Sequence, residues 1–259
     1  MFIFFYILAF STILYLYLQK KTRISRKYLY IDNLIVAIVA SALVYPFFDE
    51  TLLILIFSPV LVLGLSFGLT MIRFWRTPKR KVSANDNQII SPADGNVIYV
   101  KKINKGETPI SVKNKDFAKL SELIKTDLLD APCWLIGINM TPFDVHKNCS
   151  PINGEIILNQ HFDGKFLSLK NSESLSENER NTYVIKNENI QIGVVQIASK
   201  RVRRIDSYVH EGELVSKGQW IGMIRFGSQV DVILPDKCKV FIQEGLQVYA
   251  VETVIAEVS

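Results

Sequence analysis

Three short stretches of this chain hold residue types able to do covalent chemistry. Ser91–Gly95 reads SPADG and contains Asp94. Thr141–Glu155 reads TPFDVHKNCSPINGE and contains Asp144 and His146. Met223–Pro235 reads MIRFGSQVDVILP and contains Gly227 and Ser228. A carboxylate, an imidazole and a serine hydroxyl are the parts of a base-activated nucleophile. Each also has an ordinary use. Pro-Ala-Asp-Gly is a good turn that Asp94 would cap. His146 suits a satisfied core histidine, Asp144 a surface pair with Lys147, and Ser228 a plain strand position. Gly227 within a β-prone run marks either a kink or a backbone bond at which chemistry occurs.

These residues need a framework, and the pattern after residue 90 supplies one. Short β-prone runs bounded by turn signals cover Gly95–Lys101, Cys133–Asn139, Gly154–Asn159, Asn181–Lys186, Ile190–Ala198, Trp220–Phe226, Val230–Leu234 and Gln247–Val258. Apolar residues at helical spacing (Phe117, Leu120, Leu123, Ile124) predict a helix in KDFAKLSELIKTDLL, Lys115–Leu129. The serine-rich, charged KNSESLSENERNT, Lys170–Thr182, reads as a surface loop. VHEGELVSKGQWIGMI, Val209–Ile224, has the glycine spacing of the paired hairpins in lipoyl-type domains. The expected class is mainly β with one or two short helices, a compact β-sandwich or barrel with lipoyl-like hairpins, preceded by N-terminal transmembrane helices.

The first third differs. Hydrophobic residues make up 49% of the 259, high for a soluble protein, and they concentrate before residue 76. MFIFFYILAFSTILYLYLQ lacks charged side chains, and its basic residues follow the apolar run, unlike a signal peptide. NLIVAIVASALVYPFF is short for a span of about 20 residues, and Pro46 ends or kinks it. TLLILIFSPVLVLGLSFGLTMIRFW follows after Asp49 and Glu50. That pair suits a tight hairpin, spanning or partly re-entrant. Gly64 and Gly68 allow a close helix approach or are incidental. KKTRISRK and RFWRTPKRK flank these segments, so positive charge puts both stretches, and all that follows residue 75, on the cytoplasmic side. Residues 1–75 thus read as a membrane anchor of two to three apolar helices and 76–259 as a cytoplasmic domain.

The net charge of +5 favours an anionic membrane over nucleic acid, for which no binding signature appears. Cys133, Cys149 and Cys238 are odd in number and widely spaced, so neither a disulfide framework nor a zinc site is expected. SKRVRR, Ser199–Arg204, is a solvated face or a phosphate contact.

In order along the chain, FxRxPxR (Phe74, Arg76, Pro78, Arg80), ISPADG, FDVHxN, INGE, RRI and KGxxIGxIxFGSxVDVxLP resemble the phosphatidylserine decarboxylase proenzyme family, and most of all its short bacterial branch. The resemblance runs from about Phe74 to the C-terminus. It implies self-cleavage at Gly227–Ser228, with Ser228 Oγ attacking the Gly227 carbonyl. A β chain 1–227 and an α chain 228–259 would result and stay associated, position 228 becoming a pyruvoyl group. It further implies decarboxylation of phosphatidylserine to phosphatidylethanolamine through a Schiff base, with no metal. The implied catalytic residues are Ser228, His146, Asp94 and, as an orienting partner, Asp144. Arg203 and Arg204 match the RRI stretch and are candidates for a lipid-phosphate contact. The implied setting is a homodimer on the inner membrane of a bacterial cell, cytoplasmic face, with phosphatidylserine and the anionic membrane as partners.

The sequence departs from the pattern once. Longer relatives carry Asp-x-His-x-x-His, and here the last position is Cys149. A neutral thiol is a poor replacement for imidazole. Either His146 serves both cleavage and protonation, or cleavage leans on Asp94. Two other readings stand beside the enzyme: a non-enzymatic membrane-anchored lipoyl-like β-sandwich adaptor, and an inactive relative. Both predict one uncut chain.

Overall fold

The computed structural model describes residues 2–22, 26–47, 51–105, 110–111, 117–118, 129, 131–164, 178–198, 204–225 and 228–258. The chain divides into two units, Met1–Arg76 and Thr77–Ser259.

The first unit holds helices α1 (Phe2–Thr22), α2 (Arg26–Val44) and α3 (Thr51–Trp75). Three segments, Phe2–Lys21, Arg26–Phe47 and Ile54–Trp75, are long and apolar enough to cross a membrane. The second is longer than its apolar stretch suggests. The helix starts seven residues before Asn33 and carries Asp32, which is fully buried. Asp32 is tolerated because Arg73 of α3 forks onto it, Nε to Oδ2 at 2.6 Å and a terminal nitrogen to Oδ1. Asn33 likewise bonds Ser11 and Thr12 of α1. Polar groups in such a bundle face its interior and pair. Pro46 falls in a 3-10 turn, Tyr45–Phe47, that ends α2 as expected. A Cβ at Gly64 or Gly68 would meet nothing within 4 Å, so neither glycine serves a close helix approach within this chain.

Among the described residues of the second unit the regular elements are all β-strands. Its strands are β1 (Gln88–Ile90), β2 (Gly95–Ile103), β3 (Ile110–Ser111), β4 (Phe117–Ala118), β5 (Cys133–Met140), β6 (Lys147–Cys149), β7 (Gly154–Phe162), β8 (Arg180–Lys186), β9 (Gln191–Ala198), β10 (Ile205–Ser207), β11 (Leu214–Val215), β12 (Trp220–Ile224), β13 (Ser228–Pro235), β14 (Cys238–Val240), β15 (Gln247–Val248) and β16 (Val254–Val258). An eight-stranded antiparallel sheet runs β11-β7-β8-β9-β13-β5-β2-β15. Two three-stranded sheets, β10-β12-β6 and β1-β16-β14, contribute Ile205, Ile221, Ile224, Ile89 and Ile255 to one core with Ile136, Ile138, Val194, Val230 and Val232 of the large sheet.

Strand β13 lies between β9 and β5 and is buried on both faces, which is why VDVILP reads as a near-continuous apolar run. Val230, Val232 and Leu234 enter the main core; Ile233 enters a second cluster with Leu135, Val195 and Ile197.

Three local expectations change. Gln247–Val258 is two strands, not one. Val251 sits at φ 72° in a turn that Thr253 Oγ1 closes by accepting Tyr249 N–H at 2.9 Å, and the chain leaves the large sheet there. Phe117–Ala118, expected in a helix, pairs with Ile110–Ser111, so sheet pairing overrides the helical spacing at those two positions; 119–128 lie outside the described residues. Strands β11 and β12 pair away from each other, with β7 and with β10 and β6. Of the polar loop, 170–177 lie outside the described residues.

Candidate active site

The SPADG turn is closed by Ser91, whose Oγ donates to the Ala93 carbonyl at 2.7 Å. Asp94 is therefore released from capping its own turn. Its buried carboxylate instead joins three distant segments. The Arg80 fork donates to both oxygens, Ala250 N–H donates at 2.8 Å and Val145 N–H at 3.3 Å. Burial works against the charge of Arg80, but the hydrogen bond and charge of Asp94 outweigh it and raise the guanidinium pKa. Gly95, at φ 152°, lets β2 pass against the Asn139 carbonyl where a Cβ would collide.

The Val145 contact leads to the imidazole. Asp144 closes a turn with Thr141, accepting its N–H at 2.8 Å and its Oγ1–H at 2.7 Å, with Gln247 Nε2 at 3.4 Å. The surface pair with Lys147 is not how Asp144 is used; it is buried, and it faces its own turn. Its main-chain carbonyl lies 3.0 Å from His146 Nδ1. A carbonyl only accepts, so Nδ1 carries a proton in this contact. His146 is fully buried.

His146 is tied to the candidate cleavage segment through the backbone. Ile224 N–H donates to the His146 carbonyl at 3.1 Å. At its other end, position 228 opens β13 opposite Met140 on β5 and Ala198 on β9. The strands on either side of this segment, β12 and β13, belong to different sheets, the first to β10-β12-β6 and the second to the eight-stranded sheet. Gly227 and Phe226 themselves lie outside the described residues, and at 228 only the backbone is described.

Phosphatidylserine decarboxylase is the family model that matches, over residues 67–256. The chain belongs to the phosphatidylserine decarboxylase family. It is 35% identical over 216 residues to the phosphatidylserine decarboxylase proenzyme of Cytophaga hutchinsonii, covering 83% of this chain and 88% of that one. The proenzyme of Erythrobacter litoralis is 39% identical over 192 residues, 74% of each chain. A protein of Methanothermobacter thermautotrophicus, provisionally named an archaetidylserine decarboxylase proenzyme, is 40% identical over 188 residues, covering 72% of this chain and 79% of that one.

In this member of the decarboxylase family, Cys149 is a packing residue. Its buried Sγ donates to the Ser91 carbonyl at 3.5 Å beside Ile90, Ala250 and Val251, and burial pushes the thiol up to about 12. Asn148 beside it accepts from Gln196 Nε2 at 2.8 Å inside the core.

Arg204 lies at the surface, paired with Asp206 at 2.7 Å; Arg203 lies outside the described residues. Two sets of residues escaped the sequence reading. Arg80 was visible only as a motif letter. Tyr99 and Asp231 meet because Gly137, opposite both, leaves room for the Tyr99 ring to cross β5. Tyr99 Oη bonds the Asp231 carboxylate at 2.8 Å, and Gln229 Nε2 donates to it at 2.7 Å. The only sequence signal was a lone acid in a buried apolar run.

Proposed function

We propose that this chain is made as a precursor that cuts itself at Gly227–Ser228 and then converts phosphatidylserine to phosphatidylethanolamine. The observation that supports it best is the main-chain bond from Ile224 to His146, which ties the segment holding the candidate base to the strand that ends four residues before Ser228.

In this reading Ser228 gives its proton to His146 Nε2 as Oγ attacks the Gly227 carbonyl. The amide C–N bond breaks and an ester C–O bond forms. Loss of the Ser228 α-proton then expels Oγ as the Gly227 carboxylate. Water replaces the nitrogen left on position 228 as ammonia, leaving a pyruvoyl group there. Gly227 lacks a Cβ that would hinder the attack. Asp94 acts as a positioning residue: it grips Val145 N–H and so the segment that carries His146. Asp144 orients the ring through its carbonyl.

Position 228 suits a pyruvoyl group. The strand behind it is paired on both sides, so the C-terminal piece stays seated once the link is cut. The group's carbonyl supplies an electron-withdrawing centre that takes up the electron pair left by departing carbon dioxide. His146 remains to hold or return a proton.

The apolar helices and their basic flanks support an anchor in the inner membrane, with Thr77–Ser259 on the cytoplasmic face and anionic lipid as neighbour. A homodimer is part of the same reading. Archaetidylserine, the lipid in the name of the Methanothermobacter relative, shares the serine head group.

Intact mass of the purified chain is the test. Two fragments meeting at 227/228, the second blocked at its N-terminus, together with carbon dioxide release from phosphatidylserine, are expected. Ser228→Ala should give one species near 29.5 kDa. A folded wild type that stays uncut would defeat the proposal and favour the adaptor or inactive-relative reading.

A further inference from the structure

Gln196 on β9 and Asn148 on β6 are fully buried, and self-cleavage as proposed uses neither. Alternation along β9 gives Gln196 the face of Val194 and Ala198, both in the main core. There it meets the β10-β12-β6 sheet, Nε2 donating to Asn148 Oδ1 at 2.8 Å. Gly222, opposite Asn148 on β12, leaves room for the meeting: a Cβ there would stand 3.0 Å from Gln196 Nε2 and 2.6 Å from Tyr183 Oη. The direction of both amides follows from their partners. Asn148 Nδ2 donates to the Pro92 carbonyl at 3.4 Å, and a carbonyl only accepts. Asn148 therefore turns its oxygen to Gln196, and Gln196 turns its nitrogen to Asn148. Gln196 Oε1 is left as a buried acceptor that takes no hydrogen bond among the described residues. Tyr183 does not serve it, because its hydroxyl donates to the Ile221 carbonyl at 3.1 Å.

The register puts this acceptor beside the candidate cleavage site. Gln196 pairs with Val230, two residues after position 228, and Ala198, two residues after Gln196, pairs with 228 itself. Such diagonal neighbours on adjacent strands are about 7–8 Å apart, close enough for one small head group to touch both. Asn148 Nδ2 also lies 3.9 Å from the Sδ of Met140, the β5 partner of 228. We infer that Gln196 Oε1 is the acceptor for the amine of the serine head group, with Asn148 as the positioning residue that aims it. The inference rests on the function proposed above, in which the head-group nitrogen reacts at position 228. Wherever the rest of the lipid runs, that nitrogen must come to 228. A primary amine keeps N–H groups to donate while its lone pair faces a carbonyl carbon. It supplies the donor that Gln196 lacks, and a buried acceptor left unmet is costly. Cutting between 227 and 228 separates two chain ends near the amide, so a donor can enter beside it in the mature enzyme.

The test compares wild type with Gln196→Met, Asn148→Leu and the double variant, all in the full chain. Intact mass first reports self-cleavage; an uncut wild type would end the parent reading, and this one with it. Cleaved chains are then incubated with sn-glycero-3-phosphoserine and cyanoborohydride, and capture at 228 is read as added mass on the C-terminal fragment. Gln196→Met should raise the half-saturating concentration about tenfold, as expected for a lost hydrogen bond to a charged group, and KM for phosphatidylserine should rise in step. Asn148→Leu keeps the acceptor and should cost less, about threefold. Reduction of the carbonyl at 228 by borohydride, which has no N–H, should run at the wild-type rate in all three. The double variant separates binding from packing. It replaces both amides by apolar groups of similar size, and the Pro92 carbonyl keeps the Cys149 N–H at 2.9 Å. A packing defect would be repaired in it, whereas a lost acceptor would not, so the rise should persist. Wild-type capture in the double variant would overturn the inference. So would borohydride reduction slowed in parallel with capture, which would make Gln196 a residue that acts on the carbonyl itself. If Gln196→Met alone stays uncut, the double variant carries the test; failure of both to cleave would assign the amide to cleavage and overturn the inference as well.

Discussion

His146 and Ile224 share a main-chain hydrogen bond of 3.1 Å. The proposed base is therefore fastened to the strand that delivers the Gly-Ser link, and its ring is aimed by the Asp144 carbonyl at 3.0 Å. Orientation by a main-chain atom does not depend on which side chain stands at 144.

Asp144→Asn should accordingly slow self-cleavage by less than about tenfold, because the carbonyl remains and the amide oxygen still accepts one Thr141 bond. His146→Ala should lose cleavage by about 100-fold or more, the range of a general base. A time course of fragment appearance separates the two. Equal losses would show that the carboxylate itself acts on the ring.

Asp94 and Arg80 form a buried pair, and removing one member strands the other. Asp94→Asn or Arg80→Gln should each cost about 3–5 kcal/mol. The double variant should cost much less than the sum, because the two share one interaction. Thermal unfolding in the uncut Ser228→Ala background measures this on a single chain. Full additivity would mean that the contacts of Asp94 to Ala250 and Val145 carry its effect.

Cys149 stands where longer relatives have a histidine, yet its thiol is pushed up to about 12 by burial. Cys149→Ala should therefore leave the rate of self-cleavage and its pH dependence between about 7 and 9 unchanged. Cys149→His should lower the unfolding temperature instead of improving cleavage, because overpacking a filled site costs about 1–3 kcal/mol. Faster cleavage in Cys149→His would refute the packing role.

Asp231 gives a pH signature. Burial raises its carboxyl from 3.8 to about 6, and the bonds from Gln229 and Tyr99 offset only part of this. Burial likewise lowers nearby Arg180 to about 10, so desolvation outweighs attraction at both groups. A raised acid pKa means that the folded chain holds the proton more tightly than the unfolded one. The stability this provides is complete below about pH 4 and is lost as pH rises through about 6, with a slope of up to about 1.4 kcal/mol per pH unit. Asp231→Asn should lack that slope. Unfolding of wild type and variant at pH 4, 5, 6 and 7 measures the difference, and parallel curves would contradict it.

The sequence by itself determined the class and the longer strands and offered Gly227 and Ser228 as a candidate reacting pair, whereas short strands such as β1, β6, β10 and β14 were not legible in it. Alternation and turn residues act over a few positions, so Gly95–Lys101, Cys133–Asn139 and Asn181–Lys186 could be read directly and fall within β2, β5 and β8. SPADG, FDVH and FGS each keep their chemistry in a few adjacent letters. Where local pattern met longer-range pairing, pairing won: Phe117 went to a two-stranded sheet, and the run from Gln247 broke at Val251 to serve two sheets. Only the tertiary structure decided what the site residues touch. Asp94 meets Ala250 across 156 positions, and Tyr99 reaches Asp231 across 132. Sheet register sets such partners, and register depends on which strands neighbour one another, a property of the whole chain that no short window contains.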